Sequence, residues 1–469
     1  MIFMTSHDLI IIGSGAAGFS AATKARHLGV PRVAIVERGK IWGTCVNVGC
    51  IPSKFLLTIA DIVYYKNHGH PGIRSDFTLD LPRILAEKEA IINRSLQKKV
   101  SSLVTGLGVE VVQGEAVFIN PHEISINDQI LSAPRFIIAT GSSPSTPPVE
   151  GLDTIHPMTS DDALSPGTLP ESLIVVGGRA LGLEFAQLYT HLGVHVTVLQ
   201  RSSRIIPEEE PEIADILSGY LIDEGVDIRT GVEIRKVRKE GTGIALTSVI
   251  KGHPEDFFSD RILFATGRTP NTKDLDLRRA GVNTGKNGEI LVDETLQTSA
   301  PHIWAAGDVL GEPQLEVSAK FGGLIAAENA VTGKRKVFDR SALPHAIFTT
   351  PQVASVGLTE DQARKAGKHP VCRCTRIDAL AKSAILGDTR GLVKIVAEEK
   401  SLRILGVHAC APIASEIIQE GVVAVKHQLT AQDLMDTFHV FPTVTEALWV
   451  CAREFQKDTG SDCPEPQET

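Results

Sequence analysis

The sequence predicts an α/β fold, with two Rossmann-like nucleotide-binding domains followed by an α+β C-terminal domain. Three observations carry this. A strand, glycine turn, helix, strand pattern occurs twice, over residues 8–37 and 172–199. Two echoing segments, Phe136–Gly141 (F-I-I-A-T-G) and Ile262–Gly267 (I-L-F-A-T-G), bracket the second copy. From about Ala342 the pattern changes to strands with two helices and no further glycine signature.

The first unit starts with the apolar run Asp8–Ile12, which leads into Gly13-Ser14-Gly15-Ala16-Ala17-Gly18. A stretch of small residues then predicts a helix to about His27, and the strand Arg32–Val36 ends at Glu37 and Arg38. Gly13 makes the tight turn, and Gly15 lets a pyrophosphate approach the backbone where Ala16 and Ala17 open the helix. Gly18 lets helix and strand pack closely, and Glu37 can accept hydrogen bonds from a ribose.

The second unit runs from the strand Leu173–Val176 through Gly177-Gly178-Arg179-Ala180-Leu181-Gly182 to a helix over Leu183–Leu192 and a strand over His195–Leu199. Arg179 replaces the middle glycine. The next residues, Gln200-Arg201-Ser202-Ser203-Arg204, contain no acid. A carboxylate there would bind a ribose diol and repel a 2′-phosphate, whereas Arg201 and Arg204 would pair with that phosphate, so NADPH is expected over NADH. The alternative is that the two arginines only flank a loop.

The two A-T-G segments, with Thr140, Gly141, Gly267 and Arg268, read as chain crossings between a discontinuous first domain and an inserted second one. Another apolar strand, from His302, ends in Gly307-Asp308. The expected organisation is a first domain over 1–145 and 271–340, an inserted domain over 146–270 and a third domain over 341–459. A polar, proline-containing tail over 460–469 is expected to be mobile.

Composition narrows the function. Apolar residues at 42% and charged residues at 22% fit a folded globular chain and exclude wholesale disorder. A net charge of −9 does not favour nucleic acid or an anionic membrane. No uninterrupted apolar run approaches the ~18 residues of a membrane helix, and the start lacks signal-peptide features, so a cytoplasmic protein is expected. Seven cysteines in 469 residues are too few for a secreted disulfide scaffold.

Two of the seven stand together in Gly43-Thr44-Cys45-Val46-Asn47-Val48-Gly49-Cys50-Ile51-Pro52-Ser53-Lys54. With four residues between them they fit a helical start and could close a disulfide. A helix N-terminus and Lys54 would favour a thiolate at Cys50. A resident metal is the competing reading, but the stretch has no further Cys or His to complete a site. Cys372 and Cys374 alternate in a strand-like segment and share one face, as packing or as a two-thiol site. Cys410 and Cys451 read as small apolar residues, and Trp304 and Trp449 as core or interface.

In order, G-x-G-x-x-G, G-T-C-V-N-V-G-C-I-P-S-K, two A-T-G segments, A-A-G-D and F-P-T-x-x-E resemble the FAD-dependent pyridine nucleotide-disulfide oxidoreductases, over about Asp8–Asp458. The resemblance implies FAD in the first domain, a nicotinamide dinucleotide in the second, and a C-terminal dimerisation domain. It further implies a homodimer whose active site is shared between subunits. It makes Cys45–Cys50 the redox disulfide, with Cys50 beside the flavin and Cys45 facing substrate. Lys54 and Glu184 match an ion pair at the flavin ring, and Asp308 an acid near its ribityl and phosphate groups.

Within that family, glutathione reductases and dihydrolipoamide dehydrogenases carry His-Pro ahead of a glutamate as an acid–base pair. Here Phe441 takes the histidine's place, with Pro442 and Glu446 in register. His439, two residues earlier, either substitutes for it or is a satisfied interface histidine. Without such a base a dithiol substrate loses roughly 10²–10⁴-fold, while a soft metal ion needs thiolate ligands more than a proton shuttle.

Several stretches, among them Val196–Ser202, Gly311–Gln314, Phe348–Gly357 and Phe455–Asp458, resemble the mercuric reductase branch. That points to thiol-bound Hg(II) as acceptor, held by Cys45 and Cys50. The departures are specific. The branch ends in two adjacent cysteines where this tail has only Cys463, and no tyrosine follows Tyr220. Ala180 stands at the nicotinamide-side tyrosine position. Cys463 therefore either hands on the ion alone or is an ordinary tail thiol. A disulfide or dihydrolipoamide-type dehydrogenase with an atypical acid–base group is the second reading, and a redox sensor the third.

Overall fold

A computed structural model describes residues 3–68, 78–457 and 463–464. Most of the expected mobile tail lies outside them. The chain divides into two compact units, Met1–Phe55 with Asp80–Ser145 and Gly267–Arg340, and Leu56–Leu79 with Thr146–Thr266 and Ser341–Thr469.

The first unit is built on a parallel sheet ordered Ile303–Ala305, Phe136–Ile138, Leu9–Ile12, Val33–Glu37, Glu110–Gln113. Its strands are short continuous apolar runs because both faces are covered. Leu9, Ile11, Ile35 and Ile137 point into one core, with the small residues of helices Ala16–His27 and Glu316–Thr332. Ile10, Ile12, Val36, Phe136 and Ile138 point into the other, against Phe118, Ile124 and Ile126 of a second, four-stranded sheet. The two helices approach at their smallest residues: a Cβ on Gly323 would lie 2.1 Å from the Ala17 carbonyl oxygen.

The second unit holds another parallel sheet, ordered Asp227–Arg229, His195–Leu199, Ser172–Val176, Arg261–Phe264. Helix Ala180–His191 follows its glycine turn and starts three residues earlier than the sequence pattern predicts. Beyond Ser341 an antiparallel sheet runs His345–Ile347, Gln352–Gly357, Ile404–Ala411, Leu392–Glu398, Pro370–Arg376. Helices Ala414–Lys426 and Glu446–Arg453 supply apolar residues to its main core. Trp304 is buried, and the Trp449 indole donates to the Met435 carbonyl.

Two ionic clusters brace the second unit. The Lys394 Nζ, 1% exposed, lies 3.1, 2.9 and 3.1 Å from carboxylates of Glu210, Glu212 and Glu360. Glu224 joins His191 at 3.0 Å and Arg390 at 2.6 Å, while Tyr64 stacks on the His191 ring.

One helical stretch, 43–66, is long and apolar enough by length and composition to cross a membrane, contrary to the expected absence of such a segment. The expectation counted uninterrupted apolar residues, whereas few charges interrupt this stretch. One of them is Asp61, which accepts a 2.6 Å hydrogen bond from the Thr350 hydroxyl inside the second unit. Burial raises the Asp61 carboxyl above its ordinary value against that bond.

Candidate active site

The thiol pair lies where a short helix hands over to a long one. Cys45 sits in Gly43–Asn47, and helix Cys50–His68 starts on the second cysteine. Asn47 holds the short helix by donating to the carbonyls of Ile41 and Gly43. A Cβ on Gly49 would come within 2.9 Å of the Thr44 carbonyl oxygen, so a side chain there would force the two segments apart. Both cysteines are in the thiol form, and Cys50 is exposed. The Cys50 pKa lies below the ordinary thiol value. A hydrogen bond from Cys45 contributes most, burial opposes it, Lys54 adds its positive charge, and Glu316 works against ionisation. Lys54 was legible in the motif; Glu316, far along the chain, carried no signal.

Around the first glycine turn the packing separates two kinds of glycine. A Cβ on Gly18 would sit 1.9 Å from the Gly13 carbonyl oxygen, and one on Gly13 2.2 Å from that of Ala139. Nothing lies within 4 Å of a Cβ built at Gly15. The protein's own packing therefore requires the first and third glycines, while the second opens outward. Helix Ala16–His27 has neither a side-chain cap nor an acid in its first turn. Helices starting at Ser160, Glu360 and Ala431 are closed by threonine capping boxes, while those starting at Pro211, Glu316 and Ala414 also lack a side-chain cap, so it is the open glycine that sets this start apart. An uncapped helix start beside an open glycine is a cradle for phosphate.

The rest of this cradle fits a flavin dinucleotide. Glu37 Oε2 accepts from the Ser14 N–H at 3.0 Å and hydroxyl at 2.6 Å, and its Oε1 from the Gly39 N–H at 2.7 Å. The Ser14 hydroxyl also accepts from the Trp42 N–H, which makes Ser14 a hub that the sequence reading passed over inside the motif. Asp308 accepts from Ser142, which accepts in turn from Arg268. Thr140 donates to the Asn271 carbonyl while Asn271 donates back to that of Thr140. A Cβ on Gly307 would press on Ala17 at 3.1 Å. Gly141 and Gly267 adopt positive φ at the two chain crossings, and a Cβ on Gly43 would come within 3.0 Å of the Gly15 Cα. Arg38 points elsewhere, to Glu115 at 3.2 Å.

The second glycine turn repeats the joint. A Cβ on Gly182 would lie 1.8 Å from the Gly177 oxygen, and one on Gly177 2.5 Å from that of Ala265. Ala139 and Ala265 are the alanines of the two A-T-G segments, so the echo marks the strand ends that butt against each first glycine. Helix Ala180–His191 also lacks a side-chain cap. Gln200 accepts from the Gly178 N–H at 2.8 Å and donates to Ser202. Arg201 is exposed, but Arg204 is held by Asp215 through bonds of 2.6 and 3.3 Å.

Glu184 is buried on helix Ala180–His191 and accepts from the Phe348 N–H at 2.9 Å. Glu446 opens helix Glu446–Arg453. His439 is held at both ring nitrogens, by Glu420 at 2.9 Å and the Thr437 carbonyl at 3.0 Å, while Phe441 is 70% exposed. This is the bonding of a satisfied histidine.

Cys463, expected either to hand on the ion alone or to be an ordinary tail thiol, is instead joined to Cys374 in a disulfide. A sequence separation of 89 hid the pairing. Cys372 is buried beside it, and burial pushes the Cys410 and Cys451 thiols up to about 12, as inert packing groups. Among the described residues no group of three or more His, Cys, Asp or Glu is arranged to hold a metal ion.

Comparison with known proteins agrees with this geometry. The sequence matches the pyridine nucleotide-disulphide oxidoreductase family over residues 7–323 and that family's dimerisation domain over 343–452. It is 38% identical to a mercuric reductase of Lysinibacillus sphaericus, across 97% of this chain and 83% of that one. It is 39% identical to one of Streptomyces lividans, across 97% of both chains. A dihydrolipoyl dehydrogenase of Thermus scotoductus is 37% identical across 97% of this chain and 98% of that one. Among solved structures, the Cu(II) complex of the HOCl-induced flavoprotein disulfide reductase RclA from Escherichia coli superposes with a TM-score of 0.86 at 29% identity, across 96% of this chain and all of that one.

Proposed function

The chain belongs to the pyridine nucleotide-disulphide oxidoreductases, FAD enzymes that use a pyridine nucleotide and assemble through a dimerisation domain; from that premise we propose that it is an NADPH-dependent reductase of thiol-bound Hg(II). The observation that carries this reading is the loop before Glu446. Phe441 projects where an acid–base histidine would serve a dithiol, and the neighbouring His439 is committed to Glu420 and Thr437. A disulfide acceptor needs protons delivered to its sulfurs; an ion exchanging between thiolates does not. Mercuric reductases recur among the relatives, and Cys45 and Cys50 supply the soft ligands.

When bound, FAD relays an electron pair between nicotinamide and the dithiol. The chain's residues prepare for this. Gly15 and the start of helix Ala16–His27 would take the pyrophosphate, Glu37 the ribose, and Asp308 the ribityl and phosphate region. Cys45 donates to Cys50 and so stores a thiolate at the inner position, with Lys54 beside it. Lys54 would orient the ring, and the ion would be taken between the two sulfurs. Overall, hydride from NADPH and Hg(II) give NADP⁺, a proton and elemental mercury. For the donor, Gln200 brings no charge to repel a 2′-phosphate and exposed Arg201 attracts it, while Arg204 shapes the loop through Asp215.

The test is an acceptor screen with purified holoenzyme and fixed NADPH. Hg(II) in excess thiol should drive NADPH oxidation well above glutathione disulfide or lipoamide. No Hg(II)-dependent oxidation would overturn the reading. The resemblance to a dihydrolipoyl dehydrogenase keeps a second reading in view, and rapid lipoamide turnover lost in His439→Ala would favour it.

A further inference from the structure

We propose that Cys374 and Cys463 form a second thiol–disulfide couple, a modification site in the dimerisation region closed by a low-molecular-weight disulfide and opened by the matching thiol. This goes beyond the reductase reading and asks nothing of its acceptor.

The strand Pro370–Arg376 turns Cys372 and Cys374 to the same side, both buried. Cys463 packs against the apolar cluster of Ala363, Cys372, Val396 and Leu405, yet remains half-exposed. It is bonded to Cys374, with Cα atoms 4.9 Å apart. Burial and charge explain why Cys372 is left out. Burial raises its thiol well above the ordinary value, and its hydrogen bond to Glu360 holds it protonated. A protonated thiol neither attacks a disulfide nor leaves from one.

Accessibility sets the order of steps. A small thiolate attacks the half-exposed Cys463 sulfur; its S–S bond to Cys374 breaks as a mixed disulfide forms, and the Cys374 thiolate leaves and takes a proton. A second small thiol attacks the mixed disulfide and frees Cys463. The sum is two small thiols and one protein disulfide giving two protein thiols and one small disulfide, and the reverse closes the bond. Closed, the couple ties Cys463 to the strand Pro370–Arg376 and withholds its sulfur from soft metal ions. Open, it presents that sulfur.

The experiment equilibrates the holoenzyme in glutathione and glutathione disulfide at stepped ratios, quenches with acid, alkylates with iodoacetamide and weighs the peptides. Peptides carrying Cys374 and Cys463 should be linked at the oxidising end and alkylated together at the reducing end, with Cys372→Ser changing nothing. Diluting the buffer tenfold at a fixed ratio should raise the linked-to-open ratio about tenfold, since closure releases two thiols per disulfide consumed. A glutathione adduct on Cys463 would ignore the dilution. Such an adduct accumulating in place of the Cys374–Cys463 link, a Cys372–Cys463 link, or no linked peptide at any ratio would each overturn the proposal. None of these outcomes depends on Hg(II) turnover.

Discussion

Replacing Gly18, Gly182 and Gly15 by alanine one at a time separates what the fold needs from what the ligands need. At Gly18 the new Cβ would start 1.9 Å from the Gly13 oxygen, so helix or turn must move about 1.1 Å to reach the 3.0 Å limit of real contacts. Gly182→Ala demands about 1.2 Å at the matching joint, from 1.8 Å. Overpacking of this kind costs about 1–3 kcal/mol, or about 5- to 150-fold in an equilibrium that needs the undistorted turn. Gly18→Ala should therefore purify with reduced flavin absorbance per chain. Gly182→Ala should keep its flavin and need about 5- to 150-fold more NADPH to reduce it. Gly15→Ala meets nothing within 4 Å, so its melting temperature without flavin should match wild type while flavin affinity collapses. Wild-type flavin content in Gly18→Ala, or wild-type flavin affinity in Gly15→Ala, would refute the reasoning.

Three further predictions concern charge. The depressed Cys50 pKa should put the inflection of its alkylation rate below the ordinary thiol range, with Lys54→Met and Cys45→Ala moving it up and Glu316→Gln moving it down. An acid depressed by folding stabilises above its unfolded pKa, so this contribution fades as pH falls through the folded pKa; a Glu316→Gln shift of the opposite sign would show the assignment wrong. Lys394→Met strands buried carboxylates and should cost about 3–5 kcal/mol in urea unfolding, largely recovered when Glu210 and Glu212 also become glutamine. Because folding raises the Lys394 pKa, the loss should hold from neutral pH up to about pH 10.4 and shrink above it, and shrink in acid where the stranded carboxylates take up protons; a cost that grew above that pH would contradict this. Arg201→Met should weaken NADPH about tenfold or more, the worth of a charged hydrogen bond, and spare NADH, as steady-state KM values would show; equal losses for both would remove the arginine argument.

The sequence exposed those features in which one residue type is demanded by local backbone geometry. Both glycine turns belong here, because at Gly13, Gly18, Gly177 and Gly182 a carbonyl oxygen already occupies the side chain's place. The thiol motif was legible for the same reason, with Gly49 wedged against Thr44. Features that depend on distant partners were not. Lys394 in L-V-K-I-V-A reads as a stray charge in a buried strand until Glu210, Glu212 and Glu360 surround it. Cys374 and Cys463 looked like packing and tail. Gln200 was read as a missing acid, whereas its amide takes over the acid's structural bond to the glycine turn.

The uncapped starts of the helices that follow the two glycine turns also bear on how the chain survives in a cell. Losing a side-chain N-cap costs about 0.5–2 kcal/mol with most residues in its place and about a few tenths with glycine; helix Ala180–His191 starts at Arg179 and helix Ala16–His27 at Gly15, both without such a cap. Each nucleotide region thus holds back part of its stability until its dinucleotide arrives. A ligand at 100 times its Kd returns about 2.7 kcal/mol. Newly made chains short of flavin would open more often at Ala16–His27 and be cleared by proteases, so flavin supply would govern the abundance of the enzyme as well as its activity.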